Sequence, residues 1–335
     1  MGRKKPALGI ALWGTYPIPK LVEQVRIAEA IGLESVWVID SQLICREIFV
    51  TLAACLAQTS RIVMATGVTQ PRTRHVSAAA SALATLEEMH PGRLMAGVGT
   101  GFSSLRTLGM AAAKATELET FVKSLRALLR KQEVPFENNV RGTIAWMEQA
   151  SAMPVVVAAS GPRMTRVAAS IGDGAILFQG VAPDLLDRGI GWMTDGAGKV
   201  GRDPTELSVT CWTPLGTGNT SAAARDDVRA RVASSIMQTN PDWFEGEERE
   251  ALLRLKSSYD DFKHAAAMPD HAALISNRMI DRYAIAGDAV EITEQLQRLM
   301  SYQRLDRIVL SSQGGSTSLD DTLRLLEKSV LPNLV

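Results

Sequence analysis

Thr66-Gly67-Val68-Thr69-Gln70-Pro71-Arg72-Thr73-Arg74-His75 follows the apolar run Ile62-Val63-Met64-Ala65 and precedes an apolar-periodic segment that starts near Val76. The run reads as a buried strand and the periodic segment as a helix. A loop carrying Gly67, Thr69, Pro71 and Thr73 therefore hangs from the carboxyl end of a strand. That is where α/β enzymes place their chemistry.

The same unit repeats on both sides of this loop. Upstream, Ala7 to Trp13 and Ser35 to Ile39 read as strands, and Pro19 to Ile31 and Phe49 to Gln58 as helices. The first helix carries Leu21, Val22, Val25, Ala28 and Ile31 at three- and four-residue spacing and closes on Gly32. The loop's own unit is the third, a strand from Arg61 to Gly67 and a helix from His75 to Met89. Downstream come a strand at Leu94 to Val98, a helix at Ala115 to Leu129, and, after a polar stretch, a strand at Pro154 to Ala158 with a helix at Pro162 to Ile171. Ala175 to Phe178, Leu207 to Trp212 and Asp306 to Leu310 are three more strands, with helices at Pro183 to Val200 and Leu319 to Val330. Strands buried on both faces read as continuous apolar runs, as these do. Eight strand–helix units in series predict an α/β fold, a (β/α)8 TIM barrel, which needs about 250 residues. The chain has 335. The surplus lies mainly between strands seven and eight, where residues 221–282 are charged and helix-prone. A helical insertion in one domain spanning 1–335 is the expectation. Glu245-Gly246-Glu247-Glu248-Arg249-Glu250 reads there as a solvated helix face, and the insertion as a possible lid.

Composition narrows the function. Lys plus Arg and Asp plus Glu are 36 each, so no basic surplus exists to neutralise a nucleic acid. Cys45, Cys55 and Cys211 are far apart, with neither a metal-type pair nor a disulfide framework, and the four histidines lack metal spacing. No run approaches the ~18 apolar residues of a membrane span. The segment from Ala7 to Trp13 is too short for a signal sequence. The expectation is a cytoplasmic protein with no metal, no nucleic acid and no membrane partner.

The candidate residues follow the strand ends: Asp40-Ser41-Gln42 after strand two, Gly67 to His75 after strand three, Gly99-Thr100-Gly101-Phe102 after strand four, Ala158 to Met164 after strand five, and Gln179-Gly180 after strand six. Ser160-Gly161-Pro162 opens a helix, where unpaired N–H groups and the positive dipole end attract an anion, and Arg163 adds a full charge. The same residues also serve as an ordinary N-cap and first-turn proline. Gly97-Val98-Gly99-Thr100-Gly101 has GxGxG spacing and follows the fourth strand, so it is not the dinucleotide fingerprint. Its small residues admit a flat ring or phosphate, or form a plain turn. His75 stands at a helix start and reads as a proton donor or a cap.

Several stretches resemble the bacterial luciferase-like (flavin- or F420-dependent) monooxygenase superfamily, in particular its methylenetetrahydromethanopterin reductase-like branch. They are Ala28 to Asp40, Thr59 through Gly67-Val68-Thr69-Gln70-Pro71 to His75, Gly97 to Gly101, Leu108-Gly109-Met110, Val157 to Met164 and Ile171 to Ala175. The resemblance implies a barrel that binds FMN or coenzyme F420 at its carboxyl end. It implies a non-proline cis peptide at Gly67-Val68, bulging toward the middle ring of the flavin. It also implies a cofactor phosphate on the Ser160 to Met164 turn, helped by Gln179-Gly180, away from the common barrel phosphate site after strands seven and eight. On that footing Gly67, Val68, Thr69, Gly99, Thr100, Ala159, Ser160, Gly161, Arg163, Met164, Gln179 and Gly180 are the cofactor-binding candidates. Asp40, Ser41 and His75 are the catalytic ones.

Three positions depart from the family pattern: Ser41 stands where many relatives have His, Phe102 where an acidic residue is frequent, and Gln70 where Asn is usual. The reductase activity itself is therefore not transferred. The expected function is an FMN- or F420-dependent oxidoreductase, transferring a hydride to a small organic substrate or oxygenating it, in the latter case with a separate flavin reductase. Family resemblance also implies a homodimer. The alternatives are a non-catalytic flavin-binding protein and an unrelated barrel that binds a phosphate ester at Ser160 and Arg163.

Overall fold

The computed structural model describes residues 5–237, 239–259, 270–312 and 317–334. Its centre is a ring of eight parallel strands: β1 (Ala7–Leu12), β2 (Ser35–Val38), β3 (Val63–Thr66), β4 (Leu94–Val98), β5 (Val155–Ala159), β6 (Gly174–Leu177), β7 (Ser208–Thr217) and β8 (Arg307–Ser311). Each strand pairs with the next, and β8 pairs with both β7 and β1, which closes the barrel. One inward side chain comes from each strand in turn: Ala11, Trp37, Ala65, Met95, Val156, Ile176, Trp212 and Val309. These fill the barrel, while the alternate positions, such as Ile10, Val36, Met64 and Val157, pack outward against helices.

The outer layer is α1 (Ile18–Ala30), α2 (Ile48–Leu56), α3 (Val76–Met89), α4 (Ala115–Leu129), α5 (Pro162–Ile171) and α6 (Pro183–Gly198). The helix α4 shows why these segments are helical. Leu118, Phe121, Val122, Leu125 and Leu129 form one buried stripe, and the Glu117 carboxylate accepts from the Lys114 N–H at its start. Beyond β7 come α7 (Ser221–Ile236), α8 (Gly246–Ser258) and α9 (Asn277–Tyr283), then α10 (Ala289–Met300) and, after β8, α11 (Leu319–Leu325). Helices α7 to α9 form the expected insertion and build their own apolar core from Val228, Val232, Leu252, Leu255, Met279 and Ile280. Part of the expected insertion, 260–269 with His264, lies outside the described residues. At the start of α8, Glu245, which caps it, and Glu247 and Glu250 are exposed, so that run is a solvated face as read.

Two differences have physical causes. The seventh strand runs on to Thr217, past the expected Trp212, because beyond the barrel rim it gains a further partner besides β6 and β8, the short parallel strand Ile285–Gly287. The helix α10 is absent from the sequence reading. It opens with a reciprocal cap between Asp288 and Glu291 and buries Ile292, Leu296 and Leu299 against the barrel.

Candidate active site at the carboxyl end of the barrel

All eight strands deliver residues to one cavity of about 240 Å3 at their carboxyl ends. Trp13 follows β1, Asp40 and Ser41 follow β2, and Gly67 and Val68 follow β3. Gly99 and Thr100 follow β4, Ala158 to Ser160 end β5, Phe178 follows β6, and Trp212, on β7, and Ser311, on β8, complete the ring. Arg231, Ser234 and Ser235 of α7 close it from the insertion side.

The third-strand loop forms one wall. The Gly67–Val68 peptide bond is cis, at the position the family resemblance implied. The chain is fastened on either side of it. Gly67 N–H donates to the Val38 carbonyl at 2.7 Å, Thr69 N–H to the Gly97 carbonyl at 3.0 Å, and Gly99 N–H to the Thr69 carbonyl at 2.9 Å. Thr69 is wholly buried behind this wall. The glycines beside it are required by space. A Cβ on Gly99 would come within 2.8 Å of the Val68 side chain, and one on Gly97 within 2.2 Å of the Thr66 carbonyl oxygen. The floor is aromatic: Trp212 lies edge-on to Trp37 at 6.0 Å between ring centroids, and Phe178 lies tilted against it at 5.4 Å.

Beside the wall sit the polar groups. Ser41 and Ser103 hydroxyls are 2.7 Å apart, both buried and both on the lining. The Asp40 carboxylate is bridged by the Arg74 guanidinium at 2.6 Å and accepts from the Gln42 amide at 2.9 Å. Arg74 also binds Glu47 at 2.8 Å and stacks over Phe49. Burial pushes the Asp40 carboxyl above the ordinary carboxylate range, against the pull of Arg74.

Among the sequence candidates, Asp40, Ser41, Gly67, Val68, Gly99, Thr100, Ala159, Ser160 and Met164 line this cavity. Gly161 caps α5 just behind it, and Arg163 is exposed on the first turn of that helix. Gln179 is buried, its amide donating to the Thr165 hydroxyl at 3.0 Å, and with Ser160 it lines a narrow side cleft beside Trp192 and Trp243. Gly180 has φ +101° and packs against the Arg282 carbonyl. His75, expected as a proton donor or a cap, is not on the lining of this cavity: it caps α3, its Nδ1 is 2.7 Å from the Ser77 hydroxyl, and its ring leans on Phe136. Arg74, its neighbour, turns inward instead.

The sequence reading missed Trp13, Phe178, Trp212, Ser311, Ser103 and the α7 residues. Trp13, Phe178 and Ser311 lie at strand ends and Trp212 at the end of the seventh strand as read from the sequence, so the rule that found Asp40 finds them too. Ser103 follows Phe102 in the fourth-strand loop and needed only one more residue. No local signal marks Arg231, a charged residue in a charged helix.

The sequence profile of the luciferase-like monooxygenase family matches residues 9–305. The chain is 25% identical over 331 residues to the 5,10-methylenetetrahydromethanopterin reductase of Methanolobus tindarius, covering 96% of this chain and 99% of that protein. It is 36% identical over 167 residues to the F420-dependent glucose-6-phosphate dehydrogenase of Nakamurella multipartita, covering 47% of this chain and 49% of that one. The solved structure of the coenzyme F420-dependent tetrahydromethanopterin reductase of Methanopyrus kandleri superposes with a TM-score of 0.80 at 22% identity, over 99% of this chain and all of that one, and shares its fold. None of the described helices is long and apolar enough to cross a membrane.

Proposed function

The chain belongs to the luciferase-like monooxygenase family, and from that premise we propose that it is a coenzyme F420-dependent oxidoreductase acting on a small organic substrate. The observation that carries this reading is a cavity with two unlike ends. One part is apolar and flat-walled, between the Gly67–Val68 peptide and the Phe178–Trp212 floor; the other meets the N-terminus of α5 at Ser160. A flat tricycle with a phosphate-bearing side chain fits that pairing. The glycine cradle supports it, because a Cβ at position 99 would drive Val68 into the space the ring needs. The names F420-dependent reductase and F420-dependent dehydrogenase among the relatives favour F420 over FMN.

When bound, the coenzyme supplies the hydride chemistry. The chain's residues do the rest. Gly67 and Val68 back the ring, and Thr69 anchors the bulge through its backbone bonds to β4. The first turn of α5, with Ser160, Gly161 and Arg163, takes the phosphate on its free N–H groups, and Gln179 and Gly180 shape the neighbouring cleft. The Ser41–Ser103 hydroxyl pair offers a hydrogen bond to a substrate oxygen. Asp40, beside it, is the ionisable group we assign to hold a proton there; its raised carboxyl suits that task. The aromatic floor and α7 exclude water.

Titration of the purified apoprotein with F420 and with FMN tests the proposal. F420 should bind at least about tenfold more tightly, a difference of about 1.4 kcal/mol. The reverse order would assign FMN and a monooxygenase with a partner reductase, and binding of neither would sink the oxidoreductase reading.

A further inference from the structure

Two charged side chains, Asp40 and Arg231, stand on the described lining of the cavity, and both are engaged within the protein. Arg74 grips both Asp40 oxygens, at 2.6 and 3.3 Å. Arg231 stacks on Trp13, its guanidinium 4.9 Å from the ring centroid, and makes a further interaction within the chain. An ionic substrate would have to break one of these contacts and leave a buried charge unpaired, which is strongly unfavourable. Apart from the tryptophan indoles, the remaining polar side chains on the described lining are neutral hydroxyls, those of serines and Thr100. One layer above the ring of side chains that fills the barrel, the next inward position is apolar or glycine on seven strands; on the eighth it is Ser311. A pocket of this make-up suits an uncharged molecule.

Phe102 shapes the apolar side of that pocket. It borders the cavity beside Ser103, whose hydroxyl meets that of Ser41. Its place is fixed by the groups around it. Gly101, just before it, has φ +79°, and a Cβ there would come within 2.7 Å of Leu105. The Phe102 carbonyl accepts from the Leu105 and Arg106 N–H groups at 3.1 and 3.0 Å. The Arg106 guanidinium lies over the ring, 5.2 Å from its centroid, and the ring of Tyr259, just past α8, meets it at 6.0 Å between centroids. Where the family pattern frequently has an acidic residue, phenylalanine holds neither a charge nor a proton, so it contributes a rigid, flat apolar wall. We propose that Phe102 is a specificity residue, selecting an uncharged substrate that carries an aromatic or alicyclic ring next to the oxygen bound by Ser41 and Ser103. The proposal rests on the coenzyme reading, which gives the side between Val68 and Trp212 to the coenzyme ring and leaves the Phe102 side to the substrate.

Equilibrium titration of the full-length protein with acetophenone, cyclohexyl methyl ketone, acetone and benzoate, with and without saturating F420, tests it. At neutral pH the two ring ketones should bind on the order of tenfold more tightly than acetone, which lacks the ring, and than benzoate, which adds a charge. Phe102→Ala should bring the acetophenone-to-acetone ratio close to one while leaving F420 affinity within about threefold of wild type. Phe102→Leu keeps apolar bulk without the flat ring, so it should lower the ratio by about threefold, and it decides the matter if the Ala variant does not fold. No ring preference in the wild type, benzoate bound as tightly as acetophenone, or a ratio unchanged in the folded variant overturns the proposal. F420 binding without ring preference would sink this proposal alone. Ring preference without F420 binding would sink the coenzyme reading and leave Phe102 a specificity residue.

Discussion

Asp40 and Arg74 show how much one residue's orientation decides. The Asp40 carboxylate is buried, and Arg74 is its cation at 2.6 Å. Arg74→Gln removes that partner and the largest of the forces that hold the carboxyl down, leaving the smaller pull of the Thr69 side chain. The folded-state pKa of Asp40 then climbs further above the unfolded value of about 3.9. A folded protein that binds the proton more tightly loses stability as pH rises through the folded pKa. Urea unfolding should therefore show a small deficit at about pH 5 and one of about 3 kcal/mol at about pH 8. Equal deficits at the two pH values would show that Arg74 does not offset the charge of Asp40. Asp40 and Ser41 were legible in the sequence because they end a recognisable strand. The exchange of roles between Arg74 and His75 was not, because adjacent loop residues carry no periodicity that says which one turns inward.

At the scale of elements, the junction of β5 and α5 makes the sharpest prediction. Gly161 is the N-cap of α5 with φ −144°, which any residue adopts, and a Cβ there meets Trp243 at an ordinary 3.7 Å. Gly161→Asp should fit. As an N-cap, aspartate should leave the melting temperature unchanged or raise it slightly. It also puts a negative charge where the coenzyme's phosphate would lie, so F420 affinity should fall by about tenfold or more, read by equilibrium titration. An unchanged affinity would mean the phosphate sits elsewhere. The eight strands were readable as apolar runs because both faces of each are buried. The extension of β7 to Thr217 was not, since its stabilising partner, Ile285–Gly287, lies about seventy residues away in sequence.

At the scale of the molecule, the insertion is joined to the barrel. Its apolar core takes Leu185 from α6 as well as Leu252 and Leu255 from α8. We propose that residues 1–335 unfold as one domain. Leu252→Ala empties a fully buried position and should cost about 2–5 kcal/mol. Calorimetry should show one transition moved to lower temperature; two separated transitions would make the insertion an independent unit. The sequence by itself determined the barrel, because burial on both faces writes each strand as a local apolar run, and it determined the loops that carry Gly67, Gly99 and Ser160, because each follows such a run directly. Only the tertiary structure decided that Trp13, Trp212 and Arg231 share one cavity and that His75 does not. Closing the ring and folding α7 over its mouth bring together residues some two hundred positions apart, and no local pattern records a contact made across that distance.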